Sequence, residues 1–171
     1  AVATMSPHSD SVLEAGRRGW SIISANFLQP VWVASHWQQL VAGASAAGRE
    51  ARPQDWRVAR SIFVADSAAT ARAYAKGPDG PYAHYYRSLM RKLIGNGRPE
   101  LFKTRVDQPD HEITLDRVLD SLVMCGTPDE VADQILALRG TVGDFGTLVY
   151  AGHDWADPAL ARRSMQLMSE A

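Results

Sequence analysis

The sequence predicts an α/β fold built on a parallel sheet, and three observations predict it. Four apolar runs of strand length, at 1–5, 20–25, 57–65 and 147–151, are spread along the 171 residues. Stretches with helical apolar spacing alternate with them. Helix-start signals follow the strand runs closely, as strand-to-helix turns require. Such alternation is the pattern of right-handed βαβ units.

The unit is clearest at 126–155, GTPDEVADQILALRGTVGDFGTLVYAGHDW. The Thr127 hydroxyl can accept from an orphan N–H of the first helical turn. Pro128 stands where a missing N–H costs nothing, and Glu130 completes a capping box. Val131, Ile135 and Leu138 form an apolar stripe, and TLVYA at 147–151 reads as the next strand. Gly152, His153, Asp154 and Trp155 follow its carboxyl end, where α/β folds place ligand chemistry.

In order, the strand at 1–5 turns through Ser6-Pro7-His8-Ser9-Asp10 into a helix to about Arg17, closed by Gly19. After the strand at 20–25, a helix is expected over 31–47. Val33, Trp37, Leu40, Val41 and Ala44 share one of its faces, and Gly48 ends it. The strand at 57–65 leads to a helix capped by Asp66 or Ser67 and running to Lys76. The rhythm then breaks. Residues 77–114 form a long excursion on the carboxyl-end face, with a helix at 82–94 and a polar stretch to 112. A helix is expected over 113–124. The closing helix at 157–171 has Pro158 at its first position and Leu160, Met165 and Met168 facing inward.

The length supports one domain burying about 70% of its unfolded surface. A net charge of −1, with no basic stripe, argues against nucleic-acid binding. The single Cys125 excludes an intrachain disulfide and fits a reducing cytoplasm. No run reaches the roughly 20 apolar residues of a membrane helix. No Gly-rich phosphate fingerprint or P-loop occurs, and no residues have metal-ligand spacing. Four strands are about half of a (β/α)8 barrel, which needs about 250 residues. The opening AVATM, apolar and without an initiator Met, reads as entry in mid-strand, so a fragment of a longer protein is expected, with a processed natural terminus as the other reading. A half barrel carries two raw sheet edges and needs a partner half.

Two turns are candidate sites. In the turn Met5-Ser6-Pro7-His8-Ser9, where a strand meets a helix, Ser6 and Ser9 can either cap that helix or hold an anion at its positive end. His153 is a weak candidate general acid or base, with Asp154 as its orienter and Trp155 as a stacking surface. A packed surface turn is the other reading. His84, Tyr85 and Tyr86 either line a substrate pocket or pack. His36 and Trp37 read as core, and Cys125 as a buried, inert thiol.

AVATMSPHSDSVLEAGRRGWSIISANF, the GTPDEVADQI helix and FGTLVYAGHDW together resemble the carboxyl-terminal half of a luciferase-like, flavin-dependent monooxygenase, nearest the limonene-monooxygenase-like subgroup. The resemblance covers essentially the whole chain. It implies a (β/α)8 TIM-barrel type fold with only about strands five to eight present. It also implies reduced FMN, ahead of a deazaflavin, acting with O2 on a small organic substrate. Electrons would come from a flavin reductase, and a homodimer or the missing amino-terminal half would complete the assembly. By position, the resemblance implies that Met5 and Ser6 hold the flavin phosphate through main chain and hydroxyl, and Ser9 through its hydroxyl. It gives the His-Asp-Trp turn no role. The alternatives are a non-catalytic flavoprotein, a self-associating half-barrel module, or a hydrolase using His153.

Overall fold

The computed structural model describes residues 1–153 and 156–171. Among these residues five parallel strands alternate with helices: β1 Val2–Thr4, α1 Asp10–Arg18, β2 Ile22–Ser24, α2 Pro30–Ala46, β3 Trp56–Val64, α3 Ala68–Lys76, α4 Pro81–Gly95, α5 Leu115–Leu122, β4 Val123–Gly126, α6 Pro128–Val142, β5 Thr147–Ala151 and α7 Pro158–Met168. Short 3₁₀ turns occupy Pro53–Asp55, Pro99–Phe102 and Asp110–Glu112. The α/β class and the parallel sheet are as the sequence predicts.

The register fixes the order. β1 pairs β2, and β2 pairs the first third of β3, Ile22 to Trp56 through Ser24 to Val58. β5 pairs residues 57–61 of β3, and β4 pairs residues 61–64. Residues 57 and 58 serve both β2 and β5, and Ser61 serves both β4 and β5, so β2 and β4 share one edge of β3. They lie end to end along it, with β5 on the other edge. This strand, β4, corrects the helix expected over 113–124. The helix stops at Leu122, because the amide and carbonyl groups from Val123 onward pair with β3 instead.

Alternation along β3 separates two environments. Trp56 stacks on Trp37 of α2 at 5.8 Å between ring centroids. Ile62 and Val64 pack with Val131 of α6 and Leu167 of α7. That face packs against α2, α6 and α7. On the opposite face Phe63 stacks on Tyr74 of α3, and Ser61 meets Tyr86 of α4.

Local signals explain the helices. Thr127 and Glu130 form the expected capping box of α6, and Ser67 caps α3. Gly19 closes α1 at φ 66°, a left-handed conformation that glycine adopts without strain. α1 and α2 cross backbone to backbone, with Gly16 against the Leu40 carbonyl and Gly43 against the Leu13 carbonyl. Two side-chain expectations fail. Val41 is exposed, while His36 takes the buried face of α2. Met165 is also exposed, because the small Ala161 and Ser164, with Leu167, form the buried stripe that lets α7 approach the sheet. The stretch before 112, read as polar, also carries core residues: its 3₁₀ turn buries Leu101 and Phe102.

Candidate functional site

The turn at 5–9 leaves the carboxyl end of β1 and enters α1. Ser9 stands at the N-cap in extended conformation, yet its hydroxyl makes no cap hydrogen bond. It meets the Ser11 hydroxyl instead, at 2.7 Å. The capping reading of Ser9 is therefore corrected, and α1 begins without a side-chain acceptor on its first N–H groups. His8 has φ 46°, and its N–H donates to Ser35 Oγ. Met5 is exposed, and Ser6 and Ser9 are half-buried.

Two residues hold Ser6. Arg98, from the excursion, donates through Nη2 to Ser6 Oγ at 3.2 Å, and its Nε faces Glu100. His36 places Nε2 2.8 Å from the Ser6 carbonyl, and Nδ1 2.8 Å from Ser24 Oγ. A carbonyl only accepts, so Nε2 carries the proton and Nδ1 accepts from the Ser24 hydroxyl. Ser24 Oγ in turn accepts from Trp56 Nε1 at 2.8 Å. Burial lowers the His36 pKa, which favours this neutral form.

A second group sits at the carboxyl ends of β2, β3 and β5. Asn26 Nδ2 donates to Ser61 Oγ at 3.0 Å, and Asn26 Oδ1 accepts from Tyr85 at 3.2 Å. The Tyr86 hydroxyl lies 3.0 Å from Ser61 Oγ. His153 is buried, not part of a surface turn. Its ring lies edge-on to Tyr82 at 4.7 Å and tilted against Tyr85 at 4.4 Å. Its carbonyl accepts from Tyr74. Burial raises the pKa of Tyr82, Tyr85 and Tyr86, so all three stay neutral donors. His84 is exposed and, with Tyr85, lines an open crevice of about 510 Å³ on α4. Asp154 and Trp155, expected to orient His153 and to stack on a ligand, lie outside the described residues.

Both groups thus stand at strand carboxyl ends, where α/β folds bind ligands. The turn has the chemistry of an anion site: two hydroxyls, a helix start with no side-chain cap, and a guanidinium. The tyrosine group makes a largely apolar wall with fixed polar atoms. Sequence reasoning missed Asn26, Ser61 and Arg98. Asn26 had a usable signal, since it directly follows a strand. Arg98 had none. Cys125 is half-buried with its pKa raised by burial, in keeping with an inert thiol. Among the described residues, no group of His, Cys, Asp and Glu can hold a metal, and no helix is long and apolar enough to cross a membrane.

The family model of the luciferase-like monooxygenases matches residues 2–144. The chain belongs to that family. The chain is similar to 4-hydroxyprotoasukamycin monooxygenase of Streptomyces nodosus subsp. asukaensis, 31% identical over 80% of this chain and 34% of that protein. Limonene 1,2-monooxygenase of Rhodococcus erythropolis is 29% identical over 98% of this chain and 41% of its own length. Among solved structures, the oxygenating constituent of the 3,6-diketocamphane monooxygenase of Pseudomonas putida, a type II Baeyer-Villiger enzyme in complex with FMN, superposes with a TM-score of 0.85. It is 26% identical, covering 99% of this chain and 46% of that one. The chain spans less than half the length of each of these relatives.

Proposed function

We propose that this chain is the carboxyl-terminal half, about strands five to eight, of a (β/α)8 flavin-dependent monooxygenase, and that it carries the flavin-phosphate end of the site. The observation that carries this is the turn at 5–9, where Arg98 and the Ser6 and Ser9 hydroxyls meet an α1 start that has no side-chain cap. Such a donor set fits a phosphate. Family membership and the FMN held by the diketocamphane enzyme support FMN as the cofactor.

When bound, reduced flavin would supply the electrons that activate O2 for transfer to a small organic substrate. Ser6 and Ser9 would donate to the phosphate through their hydroxyls, Met5 and Ser6 through their main-chain N–H groups, and Arg98 would neutralise its charge. His36 holds Ser6 in place from behind. The Tyr82, Tyr85 and His153 wall keeps water from the reacting end. His153 is the candidate group for moving a proton there. The excursion at 77–114 supplies the two tyrosines of that wall, as inserted loops at this face often do. Electrons are proposed to come from a flavin reductase in the cytoplasm, and the rest of the barrel from the amino-terminal half or from a homodimeric partner.

The test is reconstitution of the full-length parent with FMN. We expect retained flavin absorbance at about 450 nm, as that cofactor gives when bound, and O2 uptake that depends on reduced FMN. Retention of only a deazaflavin would correct the cofactor. Flavin retention without O2 uptake would favour a non-catalytic flavoprotein. Failure to bind any flavin, with stable self-association, would favour a half-barrel module.

A further inference from the structure

Arg60 occupies a position that alternation along β3 assigns to the face packed on α2, α6 and α7, between Val58 and Ile62. Its neighbours on that face are apolar, and Arg60 itself is only 2% exposed. A guanidinium has five N–H donors and always seeks acceptors. Nη1 donates to the adjacent Ala59 carbonyl at 3.0 Å. Nη2 is buried and has no hydrogen-bond partner. Among the described residues no carboxylate lies within 4.0 Å of this guanidinium. Burial lowers its pKa to about 10, so it is still charged at neutral pH. An unpaired buried cation is costly, and native folds rarely leave one uncompensated.

Arg60 lines a crevice of about 250 Å³, bordered by Pro30, Ser121, Met124, Gln134 and Thr141. None of the polar side chains there turns to it. Gln134 is spent on the Cys125 N–H and on the Cys125 and Glu130 carbonyls. Ser121 accepts from Gln29 and donates to Val118, and Thr141 donates to Ala137. Asp120, on the rim, is largely exposed and held by Lys76 Nζ at 2.8 Å. Pro30 is the first residue of α2, whose positive end therefore also borders the crevice.

We propose that this crevice is a small-oxyanion site, in which the Arg60 fork receives two oxygens of a carboxylate or phosphate group. It lies on the side of the sheet that packs against α2, α6 and α7, and does not depend on the function proposed above. Arg60 supplies the charge and the fork geometry, and α2 supplies a favourable dipole.

The test uses thermal unfolding and titration calorimetry of the purified protein. Arg98→Ala is the background, so that anion binding at the turn at 5–9 is weakened. Potassium phosphate and potassium acetate are compared with potassium chloride at matched ionic strength. We expect saturable stabilisation by at least one oxyanion, about 3–5 °C at ten times its Kd. Which salt acts distinguishes a phosphate from a carboxylate ligand. Arg60→Met should abolish the effect, Arg60→Lys should weaken binding about tenfold, and Asp120→Asn should keep or strengthen it. Stabilisation equal to that of chloride would overturn the proposal, as would an unchanged oxyanion response in Arg60→Met or Arg60→Lys. Loss of binding in Asp120→Asn would also overturn it. Should Arg60→Met fail to fold, Arg60→Lys and Asp120→Asn decide the matter alone.

Discussion

His36 Nε2 donates to the Ser6 carbonyl at 2.8 Å, which joins the buried face of α2 to the turn that leaves β1. The bond is the last link of a chain running from Trp56 through Ser24 to His36. Each partner lies on a different element: β3, β2, α2 and the turn. The position of Ser6 is therefore set by the core, which is how a rigid scaffold orients a binding loop.

Replacing His36 should cost stability and make it less dependent on pH. His36→Ala leaves the Ser24 hydroxyl and the Ser6 carbonyl short of a partner, a loss of about 1–3 kcal/mol. Burial depresses the pKa of His36 in the folded state. The unfolded chain therefore binds more protons in the window below its ordinary pKa. The contribution is fully present above about pH 6.5 and is lost as pH falls through the folded value. Urea midpoints at pH 7.5 and 5.5 should differ in the wild type more than in His36→Ala. An equal difference in both would show that His36 does not titrate in this way.

Gly43→Ala should be more damaging than its single methyl suggests. The added carbon meets the Leu13 carbonyl and the Arg17 N–H, both main chain, so α1 and α2 must move apart. Overpacking of this kind costs about 1–3 kcal/mol. Because α1 begins at the turn at 5–9, flavin affinity of the parent should fall together with the melting temperature. A thermal scan showing no change would mean that the two helices separate without strain.

Much of this arrangement was legible in the sequence, and what was not has identifiable causes. α6 could be read because Thr127, Pro128 and Glu130 fix its start locally. β4 could not, because Val123 continues the apolar spacing of Val118, Leu119 and Leu122, and only pairing with residues 61–64 of β3 makes it a strand. α7 misled because Met165 is the larger apolar residue. Ser164 is the buried one, its hydroxyl accepting from the Val64 N–H and meeting the Tyr150 hydroxyl. At the site, Met5, Ser6 and Ser9 are contiguous and announce a turn. Arg98 reaches Ser6 across 92 residues, and no periodicity encodes such a contact. His153 was visible as a strand-end residue, but its burial among tyrosines depends on how the excursion folds back.

Thr127→Ala tests how much of α6 rests on its cap. The Thr127 hydroxyl accepts from the Glu130 N–H, and the Glu130 carboxylate accepts from the Thr127 N–H at 2.9 Å. Losing one side of a capping box costs about 1 kcal/mol. Thr127→Ser should recover most of it in urea denaturation. A cost near zero for Thr127→Ala would mean that packing of Val131 and Leu138 alone sets where the helix begins.

Arg98→Ala separates a phosphate site from a helix start that is merely tidy. Arg98 contributes little to folding, since its side chain is partly exposed and its partners are Ser6 and Glu100. Surface pairs of this kind are worth about 0–1 kcal/mol. A charged hydrogen bond to phosphate is worth more, about 1.5–3 kcal/mol. In the full-length parent, FMN should therefore bind about 10- to 100-fold more weakly to Arg98→Ala, with the melting temperature of the apoprotein nearly unchanged. Arg98→Lys should restore part of the affinity, because the charge remains while the fork is lost. Riboflavin, which lacks the phosphate, should bind the wild type and Arg98→Ala alike. Fluorescence titration with both ligands reads all three outcomes. Equal weakening for riboflavin would place Arg98 outside the phosphate site.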